Sequence, residues 1–207
     1  MTKMPNEALS QECHMPDLSE LEPLKKQVII NLLGFGDEGL SQEAGLYRRN
    51  FIRLIDKAIT EYQEAREDLL DEIEEEQKHA SGSTQGDRIL YGFRFIDCLE
   101  DCINATRRLL GIVDKLKSDP SAAIIPRQTR RLLNIIGKDV TMMRNVIEHI
   151  DQKIQNNELK TNVSVMLKLS RSREQVSIGG HHLQLSQLAL TLRKLHRIGL
   201  SLLELSP

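Results

Sequence analysis

The side chains best suited to chemistry in this 207-residue chain lie within six consecutive residues, Arg144-Asn145-Val146-Ile147-Glu148-His149. A histidine titrates near neutrality and can serve as general acid or general base. A guanidinium offers a fixed, bidentate positive charge to a phosphate or to the charge that builds on it during displacement. Together they are the two groups that metal-free cleavage of a phosphodiester requires. One chain brings one such histidine, whereas a two-fold dimer brings two histidines and two arginines and so supplies both acid and base. Asn145 and Glu148 are the neighbours able to orient them. A plainer reading competes. Arg144 and Glu148 are four residues apart, the spacing of a routine helix salt bridge worth about 0.2–0.5 kcal/mol, and His149 is then only a polar residue at a packing edge.

The helix that must carry these residues is expected from about Arg127 to Asn156. Its main apolar stripe is Leu132, Ile136, Val140, Met143, Ile147, Ile150 and Ile154. Ile135, Met142 and Val146 make a second, narrower stripe, with His149 at its edge and Asn145 close by. At about 100° per residue, Arg144 lies on the other flank, roughly 140° from His149. Two stripes call for two packing partners: the rest of the molecule, and either a second subunit or the C-terminal part of the chain. Arg127, Arg130 and Arg131 open this helix and are weaker candidates for gripping phosphate. Cations oppose the dipole at a helix N-terminus, so a compensating anion is expected outside the helix. The acidic run Glu61–Glu76, with nine carboxylates and one arginine, is the nearer source than a nucleic acid.

The segment resembles the signature of the HEPN superfamily, an arginine followed by a polar residue and, after four to six intervening positions, a histidine. Here the polar residue is Asn145 and four residues intervene. The resemblance covers roughly residues 41–157. It implies a helical bundle that dimerises through the motif-bearing helices, with Arg144 and His149 as catalytic residues of a metal-independent ribonuclease, or the same scaffold as an inactive binding module. The toxin subgroup places a tyrosine two positions after the histidine, where this chain has Asp151.

Two further long helices are expected. One runs from about Ser41 to His79 with a stripe of Ile52, Ile55, Ile59, Tyr62, Leu69 and Ile73. The other starts after the loop 80–86, with Asp87 as its cap, and runs to about Ser118. Its stripe is Ile89, Phe93, Ile96, Leu99, Ile103, Leu110 and Val113, and Asp119-Pro120 ends it. A short helix is expected over 23–33, and residues 1–20 read as a loose tail. After the third helix the pattern alternates: Val163, Val165, Leu167 and Leu169 read as a strand, Ser170–Glu174 as a turn, and Val176 and Ile178 as a returning strand before Gly179-Gly180. Ser186 caps a last helix bearing Leu188, Leu192, Leu195, Leu202 and Leu205. The fold class is therefore mainly α: an antiparallel helical bundle over 21–157, with a small C-terminal β-hairpin and a final helix over 158–207 docked on it.

Composition narrows the function classes. Aromatic residues make up 3% and tryptophan is absent, which argues against ring-stacking platforms for bases or sugars. No apolar run suits a bilayer span or a leader peptide, and three cysteines cannot form an even disulfide framework. A cytoplasmic protein with no cofactor, no metal and no membrane association is expected. Charge is uneven: residues 1–126 carry 15 Lys and Arg against 24 Asp and Glu, and residues 127–207 carry 13 against 6. A polyanion is drawn to the C-terminal part.

Other constellations are weaker. His181 and His182 would point to opposite faces of an extended chain, which makes them poor co-ligands; a loop lying against the bundle is expected there. Gly179-Gly180 lacks the Lys and Ser/Thr of a phosphate loop. Cys98 and Cys102 read as buried apolar thiols, and Cys13-His14 lacks the context of a nucleophile. The expected function is a HEPN-like, metal-independent endoribonuclease or nucleic-acid-processing protein of a defence or stress system, acting on RNA as a homodimer. The alternative is a non-catalytic helical dimer that binds a protein partner as an adaptor.

Overall fold

A computed structural model describes residues 12–26, 39–80, 88–121, 125–156 and 166–204. Four long helices dominate: α1 (Gln42–Ala80), α2 (Arg88–Leu116), α3 (Arg127–Gln155) and α4 (Leu185–Glu204). Between α3 and α4 lies an antiparallel sheet of three short strands in sequence order, β1 (Lys168–Leu169), β2 (Gln175–Ile178) and β3 (His181–Gln184). The chain is mainly α, with the expected C-terminal hairpin and final helix.

Ser41 starts α1. Its hydroxyl accepts a hydrogen bond from the Ala44 N–H at 3.0 Å, satisfying one of the orphan donors of the first turn. The same hydroxyl donates to Asp119 Oδ2 at 2.6 Å, just beyond the end of α2. The start of α1 is thereby fastened to the end of α2, and the two helices run antiparallel as the most extensive pair in the molecule. The α1 stripe expected from sequence is buried in full, from Ile52 to Ile73. On α2 the buried face is rotated from the expectation. Phe93 is 49% exposed and Phe95 is buried in its place, followed by Leu99, Cys102, Ile103, Ala105 and Leu109. Three neighbours, Phe93, Phe95 and Ile96, compete for the core along this helix, and only its packing partners choose among them.

α3 packs on α2, and α4 packs on both α1 and α3, so the four helices close a ring around one core. Leu188, Leu192, Leu195 and Leu202 of α4 belong to the same apolar cluster as α1 and α2. Gly199 permits the closest approach. A Cβ there would come within 2.5 Å of Leu24 and 3.4 Å of Ile52.

Two expectations need correction here. Within residues 12–20 the chain is no loose tail: Cys13, Met15 and Leu18 are buried against the core. Arg66 donates to the Met15 carbonyl at 3.1 Å and Arg193 to the Asp17 carbonyl at 2.7 Å. Apolar residues spaced without period bury as well as periodic ones when charged side chains hold their backbone. Next, His181 and His182 lie in strand β3, not in a loop. Val176 pairs with Leu183 and Ile178 with His181. The Gly179-Gly180 turn, with φ of +57° and +83°, joins β2 and β3 as a two-residue hairpin. The short helix over 23–33 begins at Lys25 after a turn at Leu24, where buried Asp56 accepts the backbone N–H groups of Leu24 and Lys25, each at 2.8 Å. The rest of that helix, the loop 80–86, the Asp87 cap, Val163, Val165, Leu205 and the first eleven residues lie outside the described residues.

Candidate functional site

The Arg–Asn–Glu–His segment sits on the second half of α3, as the sequence places it. Arg144 pairs with Glu148 one turn further on, and its Nη1 stands 3.5 Å from Asn145 Oδ1. His149 is exposed on a different face and makes no hydrogen bond or ion pair with any described residue. Within one protomer the four candidates therefore split into two groups, an Arg144–Glu148 pair and an outward His149 beside exposed Asn145.

The main stripe of α3 is thinner than expected. Ile136, Val140 and Met143 are buried, with Leu133 joining them, whereas Leu132, Ile147 and Ile150 are half-buried and Ile154 is 49% exposed. The second stripe divides. Val146 is buried beneath the hairpin turn, where a Cβ on Gly179 would stand 2.8 Å from it. Ile135 and Met142 stay uncovered, at 62% and 50% exposed. They belong to a longer row at alternating four- and three-residue steps: Arg131, Ile135, Lys138, Met142, Asn145 and His149, each exposed. Such a row occupies one side of a helix, and among the described residues nothing covers it.

No family model matches this chain, and no curated protein or solved structure matches it. The site is defined by its own geometry.

Of the three arginines that open α3, Arg127 and Arg131 are exposed and Arg130 is half-buried. Among the described residues none of them pairs with the acidic run, contrary to expectation. Glu61 takes Lys57 at 3.5 Å, Asp68 takes Arg94 at 3.2 Å, Lys78 bridges Glu74 and Glu75, and Glu76 takes Arg173 from the β1–β2 turn. Local and hairpin cations reach those carboxylates first.

Arg130 instead lines a groove of about 570 Å³ between α2 and α3, together with Arg107, Lys117 and Lys138. Sequence reasoning missed this cluster. Arg107 and Lys117 lie on α2, and nothing in linear spacing indicates that they face α3. The one available signal was that Arg130 and Lys138 are eight residues apart, two turns along one side of a helix.

The thiols and acids complete the inventory. Cys102 is buried, and desolvation pushes its thiol up to about 12; Cys13 is buried and also raised by desolvation. Cys98 departs from the expectation of burial. It is half-exposed beside Glu64, with its Sγ 3.9 Å from a carboxylate oxygen, and desolvation with the nearby acids pushes it up to about 11. Glu61, Glu64 and Cys98 offer ligand atoms within 4.8 Å of one another. They are two carboxylates of a solvated acidic face and one protonated thiol, and Lys57 already engages Glu61. No helix among the described residues is long and apolar enough to cross a membrane.

Proposed function

We propose that this chain is a HEPN-like helical protein that binds RNA and cleaves it without metal as a cytoplasmic two-fold dimer, in a defence or stress setting. The observation that supports this reading is the exposed row on α3, in which His149 and Asn145 lie in line with exposed Ile135 and Met142 and with the cations Arg131 and Lys138. Apolar residues on such a row favour a second copy, and its cations favour a polyanion. Pairing across a two-fold axis near His149 would bring two imidazoles together. One takes the proton of the RNA 2′-hydroxyl as its oxygen attacks the adjacent phosphorus. The partner's His149, protonated, gives a proton to the departing 5′-oxygen. The guanidinium of Arg144 compensates charge on the phosphorane, with Glu148 and Asn145 holding it.

RNA cleavage by wild type and His149→Ala in EDTA, with dimerisation followed by sedimentation, tests this reading. Loss of cleavage in a variant that still dimerises is the expected result. Equal cleavage by both proteins removes His149 from the chemistry.

A second reading has its own support. Arg144 is engaged by Glu148 about 140° around the helix from His149, a disposition that suits structural roles for both. A non-catalytic dimer that binds a protein partner through the same row would show no cleavage. Its binding would lack the steep fall with salt that phosphate contacts impose.

A further inference from the structure

The groove between α2 and α3 carries more positive charge than the fold itself can use. Four cations line it, Arg107, Lys117, Arg130 and Lys138, against the single carboxylate of Asp114. Asp114 is already committed to Lys117, at 2.6 Å. Among the described residues, Arg107, Arg130 and Lys138 have no anionic partner. The Nε–H of Arg130 is buried and has no acceptor among the described residues.

Two glycines shape the groove. Gly137 lets α3 approach α2, since a Cβ there would stand 3.0 Å from a methyl group of Leu110. Gly111 leaves the surface of α2 bare beneath Arg107, whose Nη1 lies 3.4 Å from where a Cβ would be. The guanidinium thus rests along the groove wall. The floor is aliphatic, from Leu110, Leu133 and Met142. The volume, about 570 Å³, is within the usual range for small-ligand sites.

We propose that this groove binds a nucleotide phosphate, with its phosphate oxygens on Arg107, Arg130 and Lys138 and its organic body on Leu110, Leu133 and Met142. Three uncompensated cations around an aliphatic floor match an anion of two or three charges carrying an uncharged portion. Guanidinium groups hold such oxygens in bidentate fashion. The phosphate can arrive on a free nucleotide or within an RNA strand. The second source is consistent with the course of α3: the lining residues Arg130, Asn134, Gly137 and Thr141 continue at the same spacing to Arg144 and Glu148. The inference concerns binding and stands whether or not His149 is catalytic.

Calorimetric titration of the full chain with ADP, and separately with a short single-stranded RNA, tests it. The variants are Arg130→Gln and Lys138→Gln, with Lys168→Gln on the hairpin as a control. Lys138 is exposed, so its replacement leaves the fold intact, and thermal midpoints verify this for each variant. At least one probe is expected to bind, more weakly as salt is raised. Each groove variant should lose roughly tenfold in affinity, the scale of one charge-assisted hydrogen bond, and Lys168→Gln should lose nothing. Binding of ADP identifies a free nucleotide as sufficient, and binding of RNA alone identifies the strand. Absence of binding by both probes overturns the proposal, as does binding that the groove variants leave unchanged.

Discussion

At the scale of single residues, the polar groups that lost water without gaining full partners are the informative ones. Asp68 on α1 is 2% exposed. One of its oxygens meets Arg94 at 3.2 Å and the other has no hydrogen-bond partner. Desolvation outweighs the arginine, and with Asp71, Glu64 and Glu67 nearby it raises the carboxyl above its ordinary range. A carboxyl raised in the folded state favours folding below its unfolded value, near 3.9, and loses that contribution as pH climbs through the folded value. Asp68→Asn is therefore expected to raise the thermal midpoint at pH 7. The gain should shrink towards zero below about pH 4, where the wild-type side chain is protonated too. Midpoints measured across pH 3–8 check this; a wild type that is the more stable protein at pH 7 would show that the Arg94 pair dominates.

At the scale of elements, close approach of backbones decides how the helices sit. Gly199 brings α4 against Leu24 and against Phe51 and Ile52 of α1, with no room for a methyl group. Gly199→Ala should destabilise the chain by about 1–3 kcal/mol, the usual cost of overpacking a filled core. The urea midpoint should fall while the slope of the transition stays constant. An unchanged midpoint would mean that Leu24 swings aside without cost. The elements themselves were largely legible in the sequence. The α1 stripe needed only its three- and four-residue spacing, and the turn Ser170–Glu174 needed only alternation on either side. β3 was not legible, because His181-His182-Leu183-Gln184 has one apolar residue and gains its strand from pairing with β2. The rotation of α2, which buries Phe95 and exposes Phe93, was equally invisible, since hydrophobicity alone ranks the two side chains as equals.

At the scale of the whole molecule, the C-terminal unit completes the core. Leu188, Leu192, Leu195 and Leu202 share one cluster with Ile52, Leu69 and Leu99. A chain ending at residue 157 would leave that cluster open on one side. It is expected to lose its sharp thermal transition and to bind a hydrophobic dye, the behaviour of a compact state without fixed packing. A truncated chain that still unfolds in one sharp transition would identify residues 21–157 as an independent bundle.

The long helices, the returning strand and the position of the Arg144–His149 segment on α3 were legible in the sequence, because period is a property of neighbouring residues. Ser186, expected as a cap, lies inside α4, which begins at Leu185. The sequence by itself also determined that Arg144 and His149 point apart, since about 100° per residue leaves no choice once the helix forms. Tertiary structure decided which candidates meet. It buried Val146 under Gly179, left Ile135 and Met142 uncovered, and brought Arg107 of α2 to Arg130 and Lys138 of α3. Contacts between helices depend on how each one rotates and how near it comes. Those are set by the whole core and by glycines such as Gly137 and Gly199, which no local pattern marks.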